Sequence, residues 1–167
     1  MFKSIITKSI EPCILGEGII SCKIGSKETI WWVDIMGHKI HCYQPDINLE
    51  NIYNLIPILP PEITGYPSTI IPISTIETSF LISFQHHLTI WDSVSNQIIK
   101  IIAKLPNVSD NIRFNDGKCD PSGRLWIGTM DFDTVPNMGK LYTYSTDFEI
   151  KNPNVTISNG LAWDSDY

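Results

Sequence analysis

The chain has 167 residues, with 12 Lys and Arg against 18 Asp and Glu and a formal charge of −6. Hydrophobic residues make up 43% and charged residues 18%, which excludes an intrinsically disordered chain and is enough for one domain with its own core. The acid excess, with Lys and Arg scattered rather than striped, argues against nucleic acid as a partner. No apolar run approaches the roughly 20 residues of a membrane helix, so no membrane partner is expected.

From the N-terminus, Lys8 and Glu11 interrupt the apolar residues after Met1, so the segment does not read as a secretory signal. Cys13, Cys22, Cys42 and Cys119 contain no C-x-x-C pair. They read as reduced thiols in a cytoplasmic protein. Asn107-Val108-Ser109 and Asn154-Val155-Thr156 match the glycosylation pattern by coincidence in such a chain. Leu15-Gly16-Glu17-Gly18 places a carboxylate between two glycines. Alone it is a solvated turn; the functional reading is close backbone approach with Glu17 turned to a ligand.

Isoleucine is abundant and, with Val, Thr, Tyr, Phe and Trp, favours strands. Pro57, Pro60, Pro61, Pro67 and Pro72 break any helix in the middle. The fold class is therefore all-β, with short strands and turn-rich loops. A weak repeat runs through it. Gly25-Ser26 leads into Thr29–Asp34 and then Gly37–Tyr43, and Asp120-Pro121-Ser122-Gly123 leads into Arg124–Met130 and then Gly139–Tyr144. Ser79–Phe84 and His87–Asp92 make a similar pair between them. The implied period of about 49 residues falls in the range of propeller blades, and the chain supplies about three of them. Asp120–Gly123 has the chemistry of a type I turn between inner strands. Gly160–Tyr167 reads as the start of a further turn-and-strand unit that stops inside it. Trp31, Trp32, Trp91, Trp126 and Trp163 read as core residues at equivalent blade positions. His38, His41, His86 and His87 read as structural or surface residues, with His38 and His41 in one strand facing opposite sides.

Two further segments carry polar chemistry. In Asn111–Lys118, an extended backbone puts Arg113 and Asn115 on one side, where they could hydrogen-bond a hydroxylated or carboxylated small molecule. The bland reading is an Asp116-Gly117 turn with solvated flanks. In Ser158–Trp163, Asn159 is either a turn residue before Gly160 or an oxygen ligand for a hard cation.

The unbroken run Arg113–Met130 resembles the RFNDGK-x-DP-x-GR…GTM signature of the senescence marker protein-30/gluconolactonase/luciferin-regenerating enzyme-like family. Gly16-Glu17-Gly18, Val33-Asp34-Ile35 and Ser158–Trp163 resemble other blocks of that family, in the same order. The resemblance implies a six-bladed β-propeller, here an incomplete one of about three blades. Residues 1–167 then read as the N-terminal part of a single propeller domain, truncated at its C-terminus. It implies a divalent cation (Ca, Zn, Mn or Mg) held by Glu17 and Asn159, and a substrate held by Arg113, Asn115 and Asp133. Asp133 stands where a Glu is familiar, and Ile19 where a Pro usually follows Gly-Glu-Gly. The family's next ligand, an Asp proposed as general base, would lie beyond Tyr167, so weak metal binding by this chain is expected. The implied function is a divalent-metal-dependent lactone hydrolase of the gluconolactonase/regucalcin type, acting on a small-molecule sugar-acid lactone. The alternatives are a non-catalytic calcium-binding protein of the regucalcin type and an inactive truncated family member. Ile-rich strands such as Ile98–Ile102, together with exposed blade edges, imply self-association.

Overall fold

The computed structural model describes residues 11–164. Their strands form three four-stranded antiparallel sheets, each a meander in chain order. The first holds β1 (Gly16–Ile24), β2 (Lys27–Asp34), β3 (Lys39–Gln44) and β4 (Leu49–Asn54). The second holds β5 (Pro67–Pro72), β6 (Ser79–Phe84), β7 (His87–Asp92) and β8 (Gln97–Lys104). The third holds β9 (Ile112–Cys119), β10 (Leu125–Asp131), β11 (Gly139–Tyr144) and β12 (Phe148–Val155). The only helical element among the described residues is a single 3-10 turn, Ile56–Ile58, in the proline-rich connection between the first two sheets. The all-β expectation holds.

β5 packs against both β1 and β9. These three are therefore the innermost strands of successive blades on one arc, and β4, β8 and β12 are the outermost. Strand alternation then decides the core. Trp31, Val33, Ile40, Ile70, Phe80, Ile82 and Trp91 fill the space between the first two sheets. Phe114, Leu125, Ile127 and Tyr142 close the third sheet over Leu88 and Leu105. Each such side chain contributes roughly 1.5–3 kcal/mol on burial.

The tryptophans divide rather than repeat. Trp31 and Trp91 are fully buried and pack on Phe80. Trp32, Trp126 and Trp163 are only half-buried. Trp32 follows Trp31 along one strand, so it must emerge on the other face. His38 is not in a strand; it lies in the turn before β3 at φ +53° and stacks on Tyr66. Residues 159–164 form no strand. Gly160, at φ +69°, turns the chain. Trp163 then packs on the Trp126 ring at 5.4 Å and donates its indole N–H to the Cys119 carbonyl at 3.0 Å. The rest of that expected unit, from residue 165, and the N-terminal stretch 1–10 lie outside the described residues.

The Asp120–Gly123 turn joins β9 to β10 as expected, closed by Gly123 N–H to Asp120 O at 2.8 Å. The Asp120 carboxylate, fully buried, accepts from Ser122 N, Arg124 N, Arg124 Nε and Trp126 Nε1 at 2.9–3.0 Å. Removing it leaves four partly buried donors without their acceptor. Asp120→Ala is therefore expected to cost about 2–4 kcal/mol. The measurement is the urea midpoint of the whole chain, and an unchanged midpoint would show that the turn stands without its carboxylate.

Candidate functional site

All three innermost strands are irregular at corresponding points. In β1, Glu17 pairs with Val33 and Ile20 with Trp31, so Gly18 and Ile19 together oppose Trp32. Gly18 adopts φ +62°, which glycine tolerates without strain. In β5, Pro67 pairs with Phe84 and Thr69 with Ser83, leaving Ser68 as an extra residue. In β9, Phe114 pairs with Thr129 and Gly117 with Ile127, so Asn115 and Asp116 oppose Gly128. A bulge leaves a residue out of the ladder, bends the strand and re-aims side chains. Here Glu17, Gly18, Ser68, Asn115 and Asp116, with Ile35 and Asn159, line one small cavity. Glu17, Asn115 and Asn159 thus meet from opposite ends of the chain. The Asp116-Gly117 pair lies inside β9 and is not a turn.

Asn159 is held from both sides. The Asn115 amide donates to the Ser158 carbonyl at 2.9 Å, and Gly160 N–H donates to Asp116 Oδ2 at 2.7 Å. Ser158 lies directly over Gly128, where a Cβ would sit 1.9 Å from the serine Cβ. Gly128→Ala should therefore push the 158–160 segment off β10, at about 1–3 kcal/mol. Crosspeaks of Asn159 and Gly160 in an amide NMR spectrum should shift far more than those of the first sheet. An unmoved Asn159 signal would contradict this seating.

Arg113 is 6% exposed. Its Nη1 donates to the Phe114 carbonyl at 2.9 Å and to Asn115 Oδ1 at 2.8 Å, and its guanidinium lies over the Phe132 ring at 5.5 Å. Its Nε–H is buried with no partner among the described residues. Burial pulls the Arg113 pKa down, and the nearby Glu17 carboxylate opposes that shift. Arg113 is not itself among the residues lining the cavity; it stands behind Asn115, which does line it. Glu17 and Asn159 are exposed and line the cavity.

Asp133 is not among the residues lining that cavity. It is exposed on the loop after β10, where Oδ2 accepts from Asn111 Nδ2 at 3.1 Å and its own N–H donates to Asp131 Oδ1 at 2.8 Å. Asn111 also donates to Asp131 Oδ2 at 2.9 Å. This knot holds the 131–133 turn beside the start of β9. Conversely, Asp116, Ser68 and Ser158 belong to the cavity's walls or supports without having been singled out. Asp116 lies inside the Arg113–Met130 run, where the Asp-Gly pair points to a turn rather than to a cavity wall.

The approach to Glu17 is fixed by Asp34. This buried carboxylate accepts from Leu15 N at 2.9 Å, Ile14 N at 3.0 Å and Gly37 N at 3.1 Å. Burial pushes its pKa up, but these backbone donors outweigh it and hold the group below the usual carboxylate range. A depressed folded-state pKa means the stabilisation is present above the unfolded value, about 3.9, and is lost as pH falls through the folded one. The stability gap between wild type and Asp34→Asn, read from urea midpoints, should accordingly be widest near neutrality and shrink below about pH 4. A gap independent of pH would remove Asp34 from this role.

The SMP-30/Gluconolactonase/LRE-like region family model matches residues 15–167, and the chain belongs to that family. YvrE of Bacillus subtilis, assigned as a sugar lactone lactonase, is 28% identical over 154 residues, covering 90% of this chain and 48% of YvrE. A solved luciferin-regenerating enzyme superposes with a TM-score of 0.78 at 28% identity, over 94% of this chain and 51% of that one. A calcium-binding protein, regucalcin, from Agrobacterium tumefaciens superposes at 0.73 and 25% identity, over 88% of this chain and 46% of that one. The three sheets are thus a part of the propeller that these neighbours share, and the chain spans about half the length of these relatives.

Proposed function

We propose that the small cavity between the three innermost strands is the cation site of a divalent-metal-dependent lactone hydrolase, with the substrate bound at its mouth. The observation that carries this reading is the meeting of Glu17, Asn115 and Asn159 on one cavity, beside the buried Arg113. The donor set fits a hard divalent cation such as Ca²⁺, Mg²⁺ or Mn²⁺, since it offers one carboxylate and one amide oxygen. Glu17 and Asn159 would hold the ion, which when bound supplies Lewis-acid polarisation and an activated water.

The chain's own groups supply the rest. The unpartnered Arg113 Nε–H offers a charge-assisted hydrogen bond to a hydroxyl or carbonyl oxygen of a sugar-acid lactone. Arg113 also grips Asn115 Oδ1, which fixes the amide while Asn115 Nδ2 stays on Ser158. Asp133, tied to Asn111, would receive the far end of a polyhydroxylated substrate at the loop rim. The similarity to YvrE, assigned as a sugar lactone lactonase, supports the substrate class. The similarity to a calcium-binding regucalcin supports the second reading, cation binding without turnover.

The test uses the whole chain with Mn²⁺ as a paramagnetic probe, followed by a gluconolactone hydrolysis assay. Amides around Gly18, Asp116 and Asn159 should broaden first, with an affinity of about 10⁻³–10⁻⁴ M as befits few protein ligands. Glu17→Gln should abolish that broadening. Broadening confined to other regions would overturn the cation site. Turnover lost in Glu17→Gln would favour the hydrolase; cation binding lost with no turnover in either form would favour the calcium-binding alternative.

A further inference from the structure

A second polar cluster lies at the end of the first sheet, and none of its members lines the cavity. The Cys13 Sγ is 3.5 Å from His41 Nε2. Ligand atoms of Cys13, Asp34 and His41 all lie within 4.8 Å of one another. Cys13 is half-exposed, whereas Asp34 is 2% and His41 0% exposed. We propose that Cys13, Asp34 and His41 form a second metal site, suited to a borderline divalent ion of the Zn²⁺ type and independent of the Glu17–Asn159 cavity.

Four features of the cluster support this. The first is distance. Zn–S of about 2.3 Å and Zn–N of about 2.0–2.1 Å at a tetrahedral angle separate sulfur and nitrogen by about 3.6 Å. The Cys13–His41 spacing is already there. The second is the support around the imidazole. His41 Nδ1 lies 2.8 Å from Glu50 Oε1. In the neutral ring, with Nδ1–H donating to that carboxylate, the Nε2 lone pair faces Cys13, as in carboxylate–histidine–metal arrangements. Trp32 stacks flat on the same ring, with centroids 5.1 Å apart and planes 16° apart, so the ring cannot turn away.

The third feature is the sulfur's surroundings. The Trp32 indole N–H donates to Cys13 Sγ at 3.2 Å, an interaction that favours thiolate. Burial and the acids Asp34, Glu50 and Glu11 push the Cys13 thiol up in the absence of a cation. The same acids are what a divalent ion would neutralise. The fourth is pre-assembly. Asp34 already pins Ile14 and Leu15, which fixes Cys13 beside β2 and β3. Gly16 leaves room for this, since a Cβ there would lie 3.3 Å from Cys13 Cβ. Three protein ligands leave a fourth position for water, and the half-exposed Cys13 gives the ion a way in. Binding replaces the thiol proton by the metal and releases it to solvent.

The test uses the whole chain, reduced, with Zn²⁺ for calorimetry and Co²⁺ as the spectroscopic probe. One equivalent of Co²⁺ should give thiolate-to-cobalt charge-transfer absorption in the near ultraviolet, displaced by Zn²⁺. Cys13→Ala should abolish the band while the near-ultraviolet circular dichroism of the fold persists; Cys13→Ser offers a closer isostere if the alanine form misfolds. Glu50→Gln should weaken binding about 10- to 100-fold through the imidazole. Glu17→Gln and Cys119→Ala should leave the band intact, which separates this site from the cavity and from adventitious thiols. Absence of the band in the wild-type chain, or its survival in the folded Cys13→Ala or Cys13→Ser form, would overturn the proposal.

Discussion

A regular β-strand sends successive side chains to opposite faces, which suits a core but not a site between blades. The middle strand β5 has neighbouring sheets on both sides, through β1 and β9, and a side chain aimed out of the core needs a break in that alternation. β1, β5 and β9 each supply the break with a bulge, at Gly18-Ile19, Ser68 and Asn115-Asp116. The ladders resume on either side, so the hydrophobic register of Trp31, Phe80 and Ile127 survives. Loss of any bulge would shift a strand by one residue and exchange its buried and exposed faces. The cavity and the core are therefore consequences of the same local irregularity.

Around that constraint the polar groups work in layers. Arg113 is shielded by Phe132 and committed to the Phe114 carbonyl and the Asn115 amide. Asn115 in turn spans the second and third sheets, its carbonyl accepting from Thr69 Oγ1 at 3.0 Å and its amide reaching Ser158. Buried polar networks of this kind are favourable only when their members are satisfied. The Arg113 Nε–H, buried with no partner among the described residues, is the point at which this network is left unsatisfied.

Much of this was legible in the sequence, for unequal reasons. Strand composition and proline placement gave the all-β class, and Asp-Pro-Ser-Gly gave the β9–β10 turn, because both are local. Glu17, Arg113, Asn115 and Asn159 could be named because the Arg113–Met130 run and its companion blocks resemble a family. Their meeting depends on three sheets packing, which no local pattern encodes. Asp116-Gly117 has turn chemistry, yet the β9–β10 ladder captures it as a bulge within a strand. Likewise Trp31 and Trp126 look alike in sequence, but one is buried between sheets and the other is half-buried against Trp163. The Cys13–His41 contact joins a segment before β1 to β3 across 28 positions, with no motif spacing to announce it. Asp133, placed by counting along the signature, sits on a loop held by Asn111 and Asp131, outside the cavity's walls.

The tethering of the 158–163 segment bears on how such a site would respond to a ligand. Ser158 is bound by Asn115 and seated on Gly128, Gly160 is bound by Asp116, and Trp163 is anchored at Cys119. Asn159 therefore reaches the cavity from a backbone whose freedom has already been spent during folding. Rigidity of this kind reduces the ordering entropy that binding must overcome. It also limits adjustment: a larger or smaller occupant must be accommodated by the Asn159 side chain, not by the chain that carries it.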